Sequence, residues 1–175
     1  MKNLNRDDII TVALTPCTAK KYEAAREELN DLDYVITTSE LALYLKEENI
    51  EFEELKDETF DSIFGKGSSA GTIFGASGGV TESVSRTLYY FITGTNPSPS
   101  FFKLESARGL DGIKEATLKI QDKELNIAII NGLSNVYELL EKLEKGEKIK
   151  YDFIEVMACP GGCVNGGGQP FVDAF

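Results

Sequence analysis

Two segments hold every thiol in this chain: LTPCTAKKYE, with Cys17, and EVMACPGGCVNGGGQP (Glu155 to Pro170), with Cys159 and Cys163. Cys159 and Cys163 stand four apart at the end of an apolar run, separated by Pro160, Gly161 and Gly162. That insert forces a turn and lets backbone approach a bulky ligand closely. Gly166 to Gly168 follow shortly after. A loop so rich in glycine has few apolar side chains to pack, and its amides are expected to donate to anionic sulfides or other cluster ligands. Cys17 lies where another apolar run gives way to a helical pattern. A thiol at a helix start, followed by Lys20 and Lys21, is biased towards thiolate, the metal-binding form. Taken alone, Cys17 suits a quiet half-buried position as well.

An odd number of cysteines cannot close entirely into disulfides within one chain, so metal-binding or reactive thiols in a reducing, cytoplasmic setting fit better. The chain has no histidine. This removes the usual catalytic zinc sites, haem ligation by histidine and histidine-based triads. A radical-SAM motif needs a further cysteine where Gly166 stands, and a structural zinc site lacks its fourth ligand. Gly65–Lys66–Gly67 does not make a phosphate-binding P-loop.

Positioning such thiols requires elements that end at them. Ile9–Leu14, Tyr34–Thr37, Leu125–Ile130 and Phe153–Met157 are short, β-branched apolar runs that read as buried strands. Thr18–Leu29, Ser39–Glu48, Gly79–Ile92 and Leu133–Leu143 show helical spacing, with Thr18 and Ser39 as expected N-caps. Phe101–Ser106 and Lys114–Ile120 add strands, the latter forming a hairpin with Leu125–Ile130 across Gln121–Lys123. Strand–helix alternation predicts an α/β fold: a mostly parallel four-stranded sheet flanked by helices, with an added hairpin, in one domain over residues 1–175. Sheets of this kind place ligands at the carboxyl ends of their strands, where both cysteine segments fall.

The two cysteine segments carry a resemblance. PCTAKKYE resembles the second cysteine signature of the iron-only (FeFe) hydrogenases, and EVMACPGGCVNGGGQP resembles the third almost throughout. SSAGTIFGASGGVTES and ARGLDGIKEA extend the likeness over nearly the whole chain. The resemblance implies one lobe of the large-subunit catalytic domain of a ferredoxin-type hydrogenase, which interconverts H2 with protons and electrons. It implies an H-cluster, in which a 4Fe-4S cluster held by four cysteines is bridged to a two-iron subsite bearing carbonyl and cyanide ligands. Cys17, Cys159 and Cys163 would be metal ligands, with Cys163 bridging, and Lys20 would hydrogen-bond a cyanide. Met157 and Phe74 would line the pocket, although ordinary core packing explains them equally well.

The partners implied are an N-terminal lobe with the first cysteine signature, an electron carrier such as ferredoxin, and hydrogenase maturation proteins. The first signature is absent here, and Thr15 stands where the common enzymes have methionine. The chain alone is therefore expected to fold without turning over, holding at best a labile, incompletely ligated cluster. The alternative is a non-catalytic iron–sulfur sensor or electron-transfer module on the same scaffold. With 18 basic against 29 acidic residues, a net charge of −11, nucleic acid and anionic membranes are unfavourable partners.

Overall fold

Leu125–Ile130, one of the apolar runs that read as strands, lies in the strand that organises the larger of two compact units. The computed structural model describes residues 5–29, 31–59, 69–102 and 112–171. The chain divides into Phe60–Val164 and a second unit made of Met1–Thr59 with Asn165–Phe175. In the larger unit β4 (Lys123–Asn131) runs between β3 (Ile113–Ile120), antiparallel to it, and β5 (Phe153–Met157), parallel to it. A strand with partners on both edges and cover on both faces buries consecutive residues, and Ile127 through Asn131 are all buried. Each such isoleucine contributes roughly 1.5–3 kcal/mol of burial. Phe102, Leu118, Ile127 and Ile129 form the core cluster.

Helices α3 (Ser69–Ile73), α4 (Gly79–Thr93) and α5 (Tyr137–Glu144) also belong to this unit. Tyr89 of α4 meets Phe101 edge to face, with ring centroids 4.7 Å apart. Phe101 and Phe102 lie in a bend where a strand was expected, and residues 103–106 of that expected strand lie outside the described residues. So do residues 65–68 of the glycine-rich stretch and 107–111 of ARGLDGIKEA.

The smaller unit pairs β1 (Val12–Thr15) and β2 (Tyr34–Thr37) in parallel, followed respectively by α1 (Ala19–Ala24) and α2 (Thr38–Glu47). The α/β class and the hairpin are as expected. The single four-stranded sheet is corrected: among the described residues the strands form a two-stranded and a three-stranded sheet. Apolar runs locate strands, but edge-to-edge hydrogen bonding chooses partners, and β4 has both edges occupied by β3 and β5. The helix start is corrected as well. Thr37, not Ser39, caps α2, accepting from the Glu40 amide while the Glu40 carboxylate accepts from the Thr37 amide. Thr18 precedes α1 with helical backbone angles and makes no side-chain cap. No helix among the described residues is long and apolar enough to cross a membrane.

Two carboxylates hold the smaller unit's loops. Asp33 accepts from Arg6 at 3.0 Å and from the amide and hydroxyl of Thr11 at 2.6 and 2.8 Å. Arg6 foremost, then Thr11, lowers its pKa from 3.8 to about 2. Lys21, then Thr37, lowers Glu40 from 4.5 to about 2. A depressed carboxylate pKa adds stability above the group's ordinary value, and that stability disappears as pH falls through the folded value. The Arg6–Asp33 and Lys21–Glu40 contacts should therefore open in acid, between about pH 4 and pH 2. Side-chain carboxyl NMR shifts read the opening directly. Midpoints near the ordinary values would show that these solvent-exposed pairs do not persist in solution.

Candidate metal centre

The loop between Cys159 and Cys163 is seated on the segment that enters α4. Ser77 N donates to Gly161 O, and Val164 N donates to Gly75 O, both at 3.0 Å. Gly162 N closes the turn back onto Cys159 O, also at 3.0 Å. Gly162 has φ +108°, and a Cβ there would lie 2.5 Å from Gly75 O and 2.6 Å from Ser77 N. Only glycine permits two backbones to approach so closely in that conformation. These bonds correct one expectation: the amides of Gly162 and Val164 already serve the turn and its seat, so the loop is held, not idle.

The segment beneath is fixed in turn by Glu155. This residue shares a face of β5 with Met157, and both are buried. Its carboxylate accepts from Gly78 N, Thr81 N and Thr81 Oγ1, each at 2.7 Å. Gly78 precedes α4 in the left-handed region, φ +80°, and has no side chain with which to cap the helix. Glu155 supplies the missing acceptor from another element. Ser77 is also buried, and its hydroxyl has no hydrogen-bond partner among the described residues.

In the smaller unit β1 ends at Thr15, and Pro16 and the half-buried Cys17 follow directly. The tail of the third cysteine segment packs here. Gly168 N donates to Pro16 O at 2.8 Å, and Ser39 N donates to Gly168 O at 2.9 Å. A Cβ on Gly168 would stand 2.9 Å from Pro16 O and from Thr37 Cβ and Cγ2. The residue before Cys17 is thus bonded to the glycine run that follows Cys163.

Lys20 is paired with Glu23 at 2.7 Å, and Lys21 with Glu40. Both lysines that follow Cys17 are thus engaged by carboxylates. Met157 is 6% exposed and Phe74 45% exposed. Cys17 and Cys159 are half-buried, Cys163 is exposed, and none of the three is in a disulfide. Among the described residues no group of three or more cysteine, aspartate or glutamate side chains is arranged to hold a metal ion. The donors nevertheless suit an iron–sulfur cluster: soft thiolates, no histidine, and a buried hydroxyl beside the cysteine loop that has no partner among the described residues. Sequence reasoning missed Glu155, Thr81 and Ser77. The available signal was a glutamate at a core-facing position between Phe153 and Met157.

Comparison with known proteins extends these observations. A family model described as iron only hydrogenase large subunit, C-terminal domain, matches residues 1–167. The NADP-reducing hydrogenase subunit HndD of Solidesulfovibrio fructosivorans is 47% identical over 95% of this chain and 28% of its own length. A cytosolic Fe-S cluster assembly factor of Xenopus tropicalis is 34% identical over 96% of this chain and 37% of its own. Among solved structures, the FeFe-hydrogenase HydA1 of Chlamydomonas reinhardtii superposes with a TM-score of 0.69 at 36% identity, covering 99% of this chain and 52% of that one. The chain thus spans about a third of the length of these curated relatives and half of the solved one.

Proposed function

Because the chain belongs to the family of the iron-only hydrogenase large subunit, C-terminal domain, we propose that it supplies three cysteine ligands, Cys17, Cys159 and Cys163, to a shared iron–sulfur centre. The observation that carries this reading is the built seat of the Cys159–Cys163 loop, glycine against backbone, with Glu155 fixing the segment beneath it. When bound, the four-iron cluster and its carbonyl- and cyanide-bearing two-iron subsite supply the exchange of electrons and protons with H2. The protein positions and shields that group and tunes its electronics.

Cys163 would be the thiolate shared between the four-iron cluster and the two-iron subsite, and Cys17 and Cys159 would hold the four-iron cluster alone. Lys20 would donate to a cyanide, a charge-assisted bond that requires its ammonium to be shared with or released by Glu23. Met157 and Phe74 exclude water from the two-iron subsite. The fourth cysteine comes from an N-terminal lobe, electrons pass through a carrier such as ferredoxin, and maturation proteins install the subsite. A companion lobe is supported by the smaller unit's sheet, where Val12, Leu14, Tyr34 and Ile36 are exposed in a type of sheet usually covered on both faces.

Similarity to an Fe-S cluster assembly factor and the presence of Thr15 favour a second reading, a non-catalytic iron–sulfur module on the same scaffold. The two readings are separated by infrared spectra of matured protein, since only the two-iron subsite gives carbonyl and cyanide bands. For the primary reading, anaerobic reconstitution of the chain with iron and sulfide should give a labile chromophore and no H2 turnover. A lobe carrying the first cysteine signature, added in trans with the maturation machinery, should restore turnover. Turnover by the 175-residue chain alone, near the rate of the completed protein, would show that the fourth cysteine is dispensable. Identical iron uptake by a variant with all three cysteines changed to serine would remove the ligand assignment.

A further inference from the structure

We infer that Glu155 is a positioning residue for the Cys159–Cys163 loop, acting through the backbone of Gly75–Thr81. Every hydrogen bond involved lies within the larger unit. Each of the three groups facing the Glu155 carboxylate is a donor: Gly78 N, Thr81 N and Thr81 Oγ1, at 2.7 Å. An acceptor-only carboxylate matches this set, whereas a carboxamide presents its NH2 to at least one of these donors. A buried charged acceptor is costly unless its bonds are made, so the α4 entry is held in one place. That entry includes Ser77 and follows directly on Gly75, the two residues that bond the cysteine loop at Gly161 and Val164.

Glu155 and Cys159 are also separated by only three residues at the end of β5. The loop is thereby fixed at both ends of a short path: covalently through β5, and through Glu155 by way of the opposing segment. Without the carboxylate, Ser77 and Gly75 keep their own bonds to the loop but lose their fixed relation to β5. Metal ligands are held through such outer partners, which orient the donor atoms without touching the metal.

The inference deepens the proposed function only where it concerns the cluster; the loop geometry stands apart from it. Amide hydrogen exchange of the 175-residue chain separates the two. In Glu155→Gln, the amides of Ser77, Gly162 and Val164, none of which bonds to Glu155, should exchange about tenfold faster. The amides of Ile127–Ile130 in β4 should stay within about twofold of wild type. Thr81→Val, which removes one donor and leaves the carboxylate, should accelerate the same loop amides by a smaller factor and provides the test if the glutamine variant does not fold. In protein reconstituted with iron and sulfide, Glu155→Gln should lose iron to an external chelator several times faster than wild type. Unchanged loop exchange, or equal acceleration in β4, overturns the positioning role and leaves Glu155 a plain stability determinant. If wild type takes up no cluster, the ligand reading fails, while the exchange measurements still decide the role of Glu155.

Discussion

Cys163→Ser, made in the protein completed by an N-terminal lobe and matured, is expected to abolish the carbonyl and cyanide infrared bands while retaining much of the four-iron cluster. A serine hydroxyl is a hard donor that does not ionise near neutral pH, so it cannot replace a bridging thiolate. The fold should survive. Backbone bonds that hold the loop, among them Ser77 N to Gly161 O, Val164 N to Gly75 O and Gly162 N to Cys159 O, do not involve the sulfur. Cys163 is already exposed, so the exchange of one atom leaves no cavity. Cys159→Ser, in the same loop, should instead deplete the four-iron cluster, and the subsite with it. Infrared spectroscopy and iron analysis distinguish the two patterns. Unchanged carbonyl bands in Cys163→Ser would sink the bridging assignment.

Much of this arrangement can be read in the residues before any coordinates, and the rest is hidden for physical reasons. Phe153–Met157 and Tyr34–Thr37 are strands with the expected bounds, because short β-branched runs followed by turn or cap residues have few alternatives. Partner choice is not local. Nothing in the apolar pattern of β4 specifies an antiparallel neighbour on one edge and a parallel one on the other, so the sheet pairing of the described strands is not foreseeable from it. The α2 cap shows the same limit on a smaller scale. Thr37 and Ser39 both suit an N-cap, and the capping box with Glu40 decides for Thr37. At the site, the cysteines and glycines announce themselves by spacing. Glu155 does not, since its three donors lie more than seventy residues away in sequence. Lys20 shows a further limit: its charge is visible in the sequence, but its pairing with Glu23 is not.

Gly162→Ala and Gly167→Ala should differ sharply, although both remove a glycine from the same short motif. At position 162 the backbone has φ +108°, and a methyl group would meet Gly75 O at 2.5 Å, Ser77 N at 2.6 Å and Ala76 C at 2.8 Å. All three are backbone atoms held by their own hydrogen bonds or by the chain, so none can rotate aside. A side chain in this region costs about 1–3 kcal/mol before any clash is counted. The clash must then break the Ser77–Gly161 and Val164–Gly75 bonds or move the α4 entry off Glu155. Thermal unfolding of the larger unit should fall by roughly 5 °C or more, and iron uptake by the reconstituted chain should drop severalfold. At position 167 the nearest atom is Thr18 Oγ1 at 3.5 Å, an ordinary van der Waals contact. Gly167→Ala should therefore stay within about 0.5 kcal/mol of wild type and keep its iron. Comparable loss of iron in both variants would mean that the motif's glycines act by general loop flexibility. Loss confined to Gly162→Ala would place the requirement at the contact with Gly75 and Ser77, where the backbone leaves no room for a Cβ.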